Sequence, residues 1–144
     1  MLRIYLTVLF AIILLPPILM SEAFYNGPES AAYDTLKNRY LISNAVDGTI
    51  VEVNSSGEKS YYASGFGHCL GNCISNDVFY FTTGNTRYLH GYDLKGDTSV
   101  LSLLVTPAAN IDGITADTSG YIYVLNQMST TSSIIRVDLT DSSF

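Results

Sequence analysis

Apolar and polar residues alternate in short runs along most of the chain, and turn-forming residues separate the runs. In Thr49–Asn54, for example, Val51 and Val53 alternate with Ile50 and Glu52. This period of two predicts a half-buried β-strand. Beyond the N-terminal segment, the apolar spacing of a helix is not sustained for two turns anywhere in the sequence. The pattern therefore predicts an all-β protein.

The same criteria locate strands along the rest of the sequence. Asp47-Gly48 is a strong hairpin signal, because Asp-Gly favours the tight turns that join antiparallel strands. Other turns are predicted where Gly, Asn, Asp and Ser cluster. The predicted strands cover residues 30–34, 40–44, 49–54, 59–63, 68–75, 78–82, 88–94, 99–105, 111–117, 121–126 and 134–139.

One unit of strand, turn, strand, loop and strand occurs three times. Glu29–Asp34 aligns with Asp112–Asp117 without a gap, and a weaker middle copy starts at His68. A β-rich repeat of about 40–45 residues is typical of a β-propeller blade. The repeats predict a partial β-propeller of about three four-stranded antiparallel blades, the last incomplete. The predicted blades cover about residues 28–65, 66–106 and 107–144.

Composition and charge narrow the functional classes. Residues are 47% hydrophobic and 14% charged, with 11 Tyr, which fits a sheet protein and argues against disorder. The net charge is −6 with only 7 Lys and Arg, so the chain lacks the basic footprint that binds phosphates. Nucleic acid is therefore not an expected partner.

The N-terminus has the features of a targeting segment. Arg3 precedes the apolar run Ile4–Leu15, Pro16-Pro17 follows it, and Ser21 and Ala23 suit a cleavage site. The apolar run is short for a membrane span of about 20 residues, so export is favoured over an uncleaved anchor. We predict a signal peptide at residues 1–23, cleavage after Ala23, a secreted or periplasmic product and no stable membrane span after signal removal.

Several motifs carry a family resemblance: Gly27–Asp34, Arg39–Asn44, Asp47–Val53 and Asp112–Asp117. They resemble the six-bladed β-propellers of the SMP-30/gluconolactonase group and the related NHL-repeat and strictosidine-synthase-like proteins. Six blades require about 250 residues. The chain is therefore expected to be the N-terminal half of a longer product. The alternative is that two copies close one ring by self-association through the open blade face.

The repeats also indicate candidate site residues. The overlay places Glu29, His68 and Asp112 at one equivalent position, the start of each inner strand near the propeller axis, where an unknown ligand is expected. The resemblance implies that Glu29 and Asp112, which precedes Gly113, help to bind a divalent metal, usually calcium. The imidazole of His68 would favour zinc. Alternatively, these carboxylates cap strand ends or bind main-chain amides.

Four further residues are candidates for binding or bridging. Asn44 and Asn126 end matching strands, and they either contact a substrate or bond to the backbone where the chain leaves the strand. Cys69 and Cys73 are two buried thiols, a local disulfide, or metal ligands together with His68.

The motifs leave two functional classes open. The sequence contains no Gly-x-Ser-x-Gly, and His68 and His90 have no carboxylate at a diagnostic spacing. The first hypothesis is a secreted binding or interaction module without a complete catalytic set in this half. The second is a metal-dependent lactone or ester hydrolase, which would use a metal-activated water and rests on Glu29 and Asp112.

Overall fold

The computed structural model describes residues 23–128 and 130–144, and the regular structure in these ranges is β-strand without helix. Within them, no helix is long and apolar enough to cross a membrane. The predicted signal peptide falls almost entirely outside the described residues, so it stays a prediction.

The strands form three antiparallel sheets, which we call blades 1, 2 and 3 in chain order. Blade 1 contains β1 (Pro28–Asp34), β2 (Arg39–Asn44), β3 (Ile50–Val53) and β4 (Lys59–Ala63). Blade 2 contains β5 (Cys69–Ser75), β6 (Val78–Thr83), β7 (Tyr88–Asp93) and β8 (Thr98–Leu104). Blade 3 contains β9 (Ile111–Ala116), β10 (Ile122–Asn126) and β11 (Ser133–Val137).

This arrangement confirms the predicted fold class. Blades 1 and 2 have four strands and blade 3 has three in the described part of the chain. After β11, an isolated antiparallel bridge joins Asp138 and Ser143. Alternating patterns and turn residues were sufficient to locate these strands because both signals are local.

The three inner strands lie side by side, since β5 contacts both β1 and β9. The blades therefore pack face to face and bury an apolar core at each joint. A fully buried Leu or Phe side chain contributes about 1.5–3 kcal/mol. The joint between blades 1 and 2 buries Leu41, Ile50, Cys69, Phe79, Phe81 and Leu94. The joint between blades 2 and 3 buries Tyr80, Leu89, Val105, Ala108, Ile111, Ile122, Val124 and Val137.

Two aspartates hold the turns that follow the inner strands. Asp34 Oδ1 accepts hydrogen bonds from the amides of Leu36 and Lys37 at 2.9 and 3.3 Å. Asp117 Oδ1 accepts one from the amide of Ser119 at 2.8 Å. The matching contacts support the sequence overlay of blades 1 and 3.

An ion cluster around Arg39 ties blade 1 to blade 2. The side chain of Arg39 is 4% exposed, and its guanidinium binds Asp34 at 2.8 Å, Glu52 at 2.7 Å and Asp97. Asp97 belongs to the turn between β7 and β8 and also binds Lys37 at 2.6 Å. Burial alone would lower the pKa of the Arg39 guanidinium, but its hydrogen bonds to the three carboxylates outweigh burial and raise that pKa. We call these residues the Arg39 cluster.

The cluster predicts how stability depends on pH. Burial would raise the pKa of Asp97, but its contacts with Arg39 and Lys37 outweigh burial and lower it below the ordinary 3.8. A lowered carboxylate pKa contributes stability that is present above the unfolded-state pKa and is lost as pH falls through the folded-state pKa. Between about pH 5 and pH 2, Asp97→Asn should therefore lose less unfolding free energy than wild type in urea titrations.

Asp141→Asn is the matched control, because Asp141 is an exposed carboxylate that accepts the Ser143 amide at 2.9 Å and forms no ion pair with any other described residue. It should follow the wild-type curve. An Asp97→Asn variant with the full wild-type acid dependence would contradict the prediction.

Candidate functional site

Each inner strand begins with a break in its pairing to the neighbouring strand. In blade 1, Pro28 pairs with Asn44 and Ser30 with Ser43, which leaves Glu29 as an extra residue. This is a β-bulge, a feature that redirects a side chain and is common beside functional sites. The bulge thus turns the side chain of Glu29 out of the regular alternation of the strand.

Blade 3 has the same irregularity. Ile111 pairs with Asn126 and Ile114 with Val124, so Asp112-Gly113 lies opposite a single residue of β10. Asp112 therefore occupies the position that Glu29 occupies in blade 1, in agreement with the gapless sequence overlay.

Blade 2 departs from the overlay. Its bulge lies between Cys69 and Asn72, which places Leu70 at the position of Glu29. The predicted equivalence of His68 is therefore wrong, and His68 is an exposed residue that precedes the strand. The first two strands of blade 2 are joined by a shorter turn than those of blade 1. Because this turn is two residues shorter, the position equivalent to Glu29 is that of Leu70 and not that of His68.

The three predicted metal ligands lie at separate clefts. Glu29 lines a cleft of about 320 Å³ on blade 1, His68 lines one of about 240 Å³, and Asp112 lines one of about 480 Å³ on blade 3. Among the residues that the structure describes, no group of three or more His, Cys, Asp or Glu side chains is placed to hold a metal ion. The structure does not bring these three together, and metal binding by Glu29 or Asp112 stays a prediction.

Asn44 is fully buried, and its side chain is engaged within the protein. Its Nδ2 donates to the carbonyl of Phe24 at 2.6 Å and to Thr49 Oγ1 at 2.9 Å. Its Oδ1 accepts from the amide of Asn26 at 3.2 Å. These bonds fasten the segment before β1 to the end of β2. They support the structural alternative for Asn44 over contact with a substrate.

Asn126 has the corresponding place in blade 3. Its Oδ1 accepts from the amide of Ala109 at 2.9 Å, and its Nδ2 donates to Ser133 Oγ at 3.2 Å. The residue is buried but still forms part of the cleft wall beside Asp112. Its bonds position Ser133 in that wall, so Asn126 organises the cleft from behind.

The two cysteines are free thiols, so the local disulfide is not formed. Cys69 lies in the core between blades 1 and 2, whereas Cys73 packs against the core between blades 2 and 3. Residues four apart in a regular strand share a face, but the bulge after Cys69 reverses the alternation. Burial raises the pKa of Cys69 to about 12 and that of Cys73 to about 11. Both thiols are therefore poor nucleophiles at neutral pH.

His90 is a half-buried residue at the edge of the core between blades 1 and 2. Its ring stacks on Phe81 with centroids 5.0 Å apart and contacts Phe66 at 4.9 Å. Burial lowers the pKa of the imidazole below its ordinary value. A neutral ring among aromatic side chains packs the joint between blades 1 and 2.

The cleft at the inner end of blade 3, which we call the Asp112 cleft, combines polar and apolar groups. It encloses about 480 Å³. Two apolar side chains, Leu125 at 48% and Ile134 at 67% exposure, form part of its wall. The sequence analysis did not predict Gln127, Ser132 or Ser133 as site residues, although the polar composition of residues 127–133 could have indicated a loop at the cleft. The cleft is lined by Asp112, Leu125, Asn126, Gln127, Ser132, Ser133 and Ile134.

Blade 2 holds the backbone of the cleft from behind. The hydroxyl of Thr82 donates to the carbonyl of Asp112. Gly71 lies so close that a Cβ atom there would be 2.6 Å from the same oxygen and 2.9 Å from the Cα of Gly113. The bulges of neighbouring blades are therefore in direct contact, and this contact requires glycine at position 71.

A second joint repeats this arrangement between blades 1 and 2. The amide of Asn72 donates to Ser30 Oγ at 3.2 Å, and its Nδ2 donates to Ser43 Oγ at 2.7 Å. In both joints, the bulge of the later blade bonds to one of the first two strands of the blade before it. Asn72 bonds to β1 and β2, and the Asp112 carbonyl bonds to Thr82 of β6. The starts of the inner strands thus form one connected surface.

Two comparisons of the sequence gave no match. No family model matches the chain, and no curated protein sequence matches it significantly. Comparison of the fold is more informative, since 65 chains of solved structures match.

Three of these structures show the range of matched proteins. A nidogen/laminin complex matches with TM-score 0.69 and 15% identity, over 81% of this chain and 46% of that chain. Hydrazine synthase of Kuenenia stuttgartiensis matches with TM-score 0.69 and 14% identity, over 83% and 34%. Streptogramin B lyase matches with TM-score 0.61 and 16% identity, over 80% and 41%. The chain thus spans less than half the length of these structures, and the likeness establishes that its three blades form part of a β-propeller.

Proposed function

We propose that the chain belongs to a secreted β-propeller, similar to the SMP-30/gluconolactonase and NHL-repeat groups, that works as a binding or interaction module. The observation that carries this proposal is the Asp112 cleft of about 480 Å³ at the inner end of blade 3. Binding sites are typically concave, with apolar walls and a few polar groups that set orientation. The cleft has this composition, and Asn126 and Thr82 hold two of its wall residues in place.

The lining indicates the chemistry of the ligand. The carboxylate of Asp112 favours an amine or guanidinium group. Gln127, Ser132 and Ser133 offer amide and hydroxyl groups, while Ile134 offers an apolar wall. A small amine or a peptide segment with a Lys or Arg side chain fits this set. The match to a nidogen/laminin complex supports a role in interaction, because that propeller structure contains a protein partner.

The second candidate is a metal-dependent lactone or ester hydrolase, and the open carboxylate of Asp112 favours it. Calcium takes 6–8 oxygen ligands. Within the described ranges, Asp112 is the only carboxylate lining this cleft, and the Oδ1 of Asn126 already accepts a hydrogen bond from Ala109. This donor set does not fit a calcium site by itself, so weak calcium binding at most is expected of the single chain.

One titration distinguishes the two candidates. The purified protein is titrated with calcium, zinc and short Lys- or Arg-containing peptides while amide resonances are followed. We expect peptides to shift the resonances of Gln127, Ser132 and Ser133. Asp112→Asn removes the charge and Ser132→Trp fills the cleft, so each should weaken peptide binding about tenfold or more.

Ser56→Trp, in the exposed turn between β3 and β4, is the matched control and should bind as wild type does. Calcium or zinc binding that Asp112→Asn abolishes, without any peptide response, would favour the hydrolase. Resonances in the cleft that respond to none of these probes would contradict both candidates.

A further inference from the structure

The turn between β3 and β4 contains a motif that the proposed binding site does not use. Asn54-Ser55-Ser56 is the only Asn-x-Ser/Thr tripeptide in the sequence. In exported proteins this tripeptide is the acceptor motif for N-linked oligosaccharides, and it lies on surface loops. So short a motif also arises by chance, and therefore its place in the fold decides whether a glycan can be carried there.

The turn is open to solvent at one end of blade 1. Asn54 directly follows β3 and is partly exposed, and residues 55–60 are exposed. A Cβ atom added at Gly57 would meet no atom within 4 Å, so the space beside the turn is free. The described structure therefore leaves room for a bulky group on the side chain of Asn54.

Hydrogen bonds within the turn hold its shape. Asn54 Oδ1 accepts the amides of Ser56 at 2.9 Å and Glu58 at 3.0 Å. The amide of Gly57 donates to the carbonyl of Asn54 at 2.9 Å. Among the described residues, the hydroxyl groups of Ser55 and Ser56 take part in none of these bonds. Either hydroxyl can therefore be removed without loss of a bond that shapes the turn.

Asparagine supplies a nitrogen that the other two blades lack at this position. Asp93 and Asp138 end the third-strand segments of blades 2 and 3, as Asn54 does in blade 1. Asp93 Oδ2 accepts the amide of Gly96 at 2.8 Å, and Asp138 Oδ1 accepts that of Thr140 at 2.9 Å. The role of turn acceptor thus requires only a side-chain oxygen. The amide nitrogen is particular to blade 1.

This nitrogen can accept a sugar without giving up its bond in the turn. A side-chain amide has two N–H donors. Nδ2 of Asn54 donates to Glu58 Oε2, an exposed carboxylate, at 2.8 Å, and this is its one hydrogen bond to the described residues. Replacement of one hydrogen by a sugar leaves the other N–H for Glu58. An attached glycan is therefore compatible with the observed turn.

We propose that Asn54 is the attachment site of an N-linked oligosaccharide, which is added when the chain enters an export pathway. This inference rests on the secretion that forms part of the proposed function. The donor class is an oligosaccharide joined through a diphosphate to a membrane lipid, and an oligosaccharyltransferase of the export pathway reads the motif with its third-position hydroxyl, here that of Ser56.

The transfer is a substitution at the first sugar. Nδ2 of Asn54 forms a bond to the anomeric carbon of that sugar and loses one proton. The bond between this carbon and the diphosphate oxygen breaks, and its electron pair leaves with the lipid diphosphate. The product is a glycosylated amide, and no oxidant or reductant is needed.

The glycan lies away from the Asp112 cleft. The strand pairings place the end of β1, the start of β2 and the end of β3 at the same end of blade 1. The Glu29 bulge lies at the other end, where β1 starts. The bulge with Asp112 has the corresponding place at the start of β9. An oligosaccharide on Asn54 therefore leaves the cleft open, and ligand binding there should not depend on it.

Expression of the full sequence in a eukaryotic secretory host tests the site. One form keeps its own N-terminus, and a second form has a cleavable secretory signal placed in front. Peptide N-glycosidase releases N-linked oligosaccharides and converts the acceptor Asn to Asp, which mass spectrometry of the peptides locates. We expect one oligosaccharide on every exported chain, attached at Asn54.

Three serine variants make the test specific. Ser56→Ala and Ser55→Ala each remove one exposed hydroxyl from the same turn, but only Ser56→Ala destroys the motif. Attachment should be lost in Ser56→Ala and should equal that of wild type in Ser55→Ala and Ser56→Thr. Circular dichroism confirms that each variant is folded. A Ser56→Ala chain that still carries the glycan at Asn54 would overturn the proposal.

The two expressed forms separate this site from the proposed secretion. Protection from added protease in isolated microsomes identifies the chains that have entered the pathway, whether or not they leave the cell. Protected chains with an unmodified Asn54 overturn the attachment site and leave secretion standing. Modification of Asn54 only in the form with the supplied signal supports the site, whereas it shows that the chain's own N-terminus does not direct export.

Discussion

Replacing Arg39 with methionine is expected to lower the free energy of unfolding by about 3–5 kcal/mol, the range for breaking a buried ion pair from one side. Arg39 is 4% exposed and binds Asp34, whose side chain is fully buried. Without the guanidinium, Asp34 remains a buried carboxylate that has lost its charged partner. Asp97 loses its main anchor on blade 1, so the joint between blades 1 and 2 weakens as well.

Urea unfolding at pH 7 measures this effect, and two further variants make the interpretation specific. Arg136→Met removes an exposed arginine of the same size and should cost at most about 1 kcal/mol. In the double variant Asp34→Asn/Arg39→Met, the side-chain oxygen of residue 34 still accepts the turn amides, but the uncompensated charge is gone. The double variant should therefore be more stable than Arg39→Met alone. A folded Arg39→Met protein within 1 kcal/mol of wild type would show that the cluster adds little net stability.

Replacing Gly71 with alanine is expected to cost about 1–3 kcal/mol, the usual range for adding a methyl group to a closely packed site. The added Cβ would lie 2.6 Å from the carbonyl oxygen of Asp112 and 2.9 Å from the Cα of Gly113. Both are backbone atoms, so no side chain can rotate away. Blade 3 must shift relative to blade 2, which displaces the backbone that carries the Asp112 cleft.

Gly96→Ala is the matched control, because its Cβ would meet the nearest atoms at an ordinary 3.4 Å. Thermal unfolding gives the stability difference, and amide resonances of Gly113, Asn126 and Gln127 report the displacement of the cleft. If Gly71→Ala and Gly96→Ala lose equal stability and leave these resonances in place, the close contact between the blades is not a constraint.

Local signals in the sequence determined the strands and many of the turns. The alternation in Thr49–Asn54 depends only on residues two apart, and Asp117 bonds to amides two to four residues later in the chain. Such interactions repeat with each copy of the unit. The sequence therefore predicted an all-β, three-blade chain and aligned blade 1 with blade 3 correctly.

Positions that depend on pairing between strands were less predictable. The turn after the inner strand is two residues shorter in blade 2 than in blade 1, so the alignment of blade 2 placed His68 where Leu70 lies. The bulge of β5 directs Cys69 and Cys73 to different cores, although their spacing suggested one shared environment. The pairing register of two strands depends on which faces of the sheet become buried, and burial is decided by how the sheets pack.

The sequence by itself determined where the chain forms strands and turns, because those preferences act over a few residues. The tertiary structure alone decided which distant groups meet: Arg39 with Asp97, 58 residues apart, and Thr82 with Asp112, 30 residues apart. These contacts form only when the blades pack on each other. The residues around Asp97 and Asp112 in the sequence do not distinguish these aspartates from others in turns and strand starts, so the sequence alone could not predict their partners. Packing therefore placed Glu29 and Asp112 in separate clefts and joined Asp97 to Arg39.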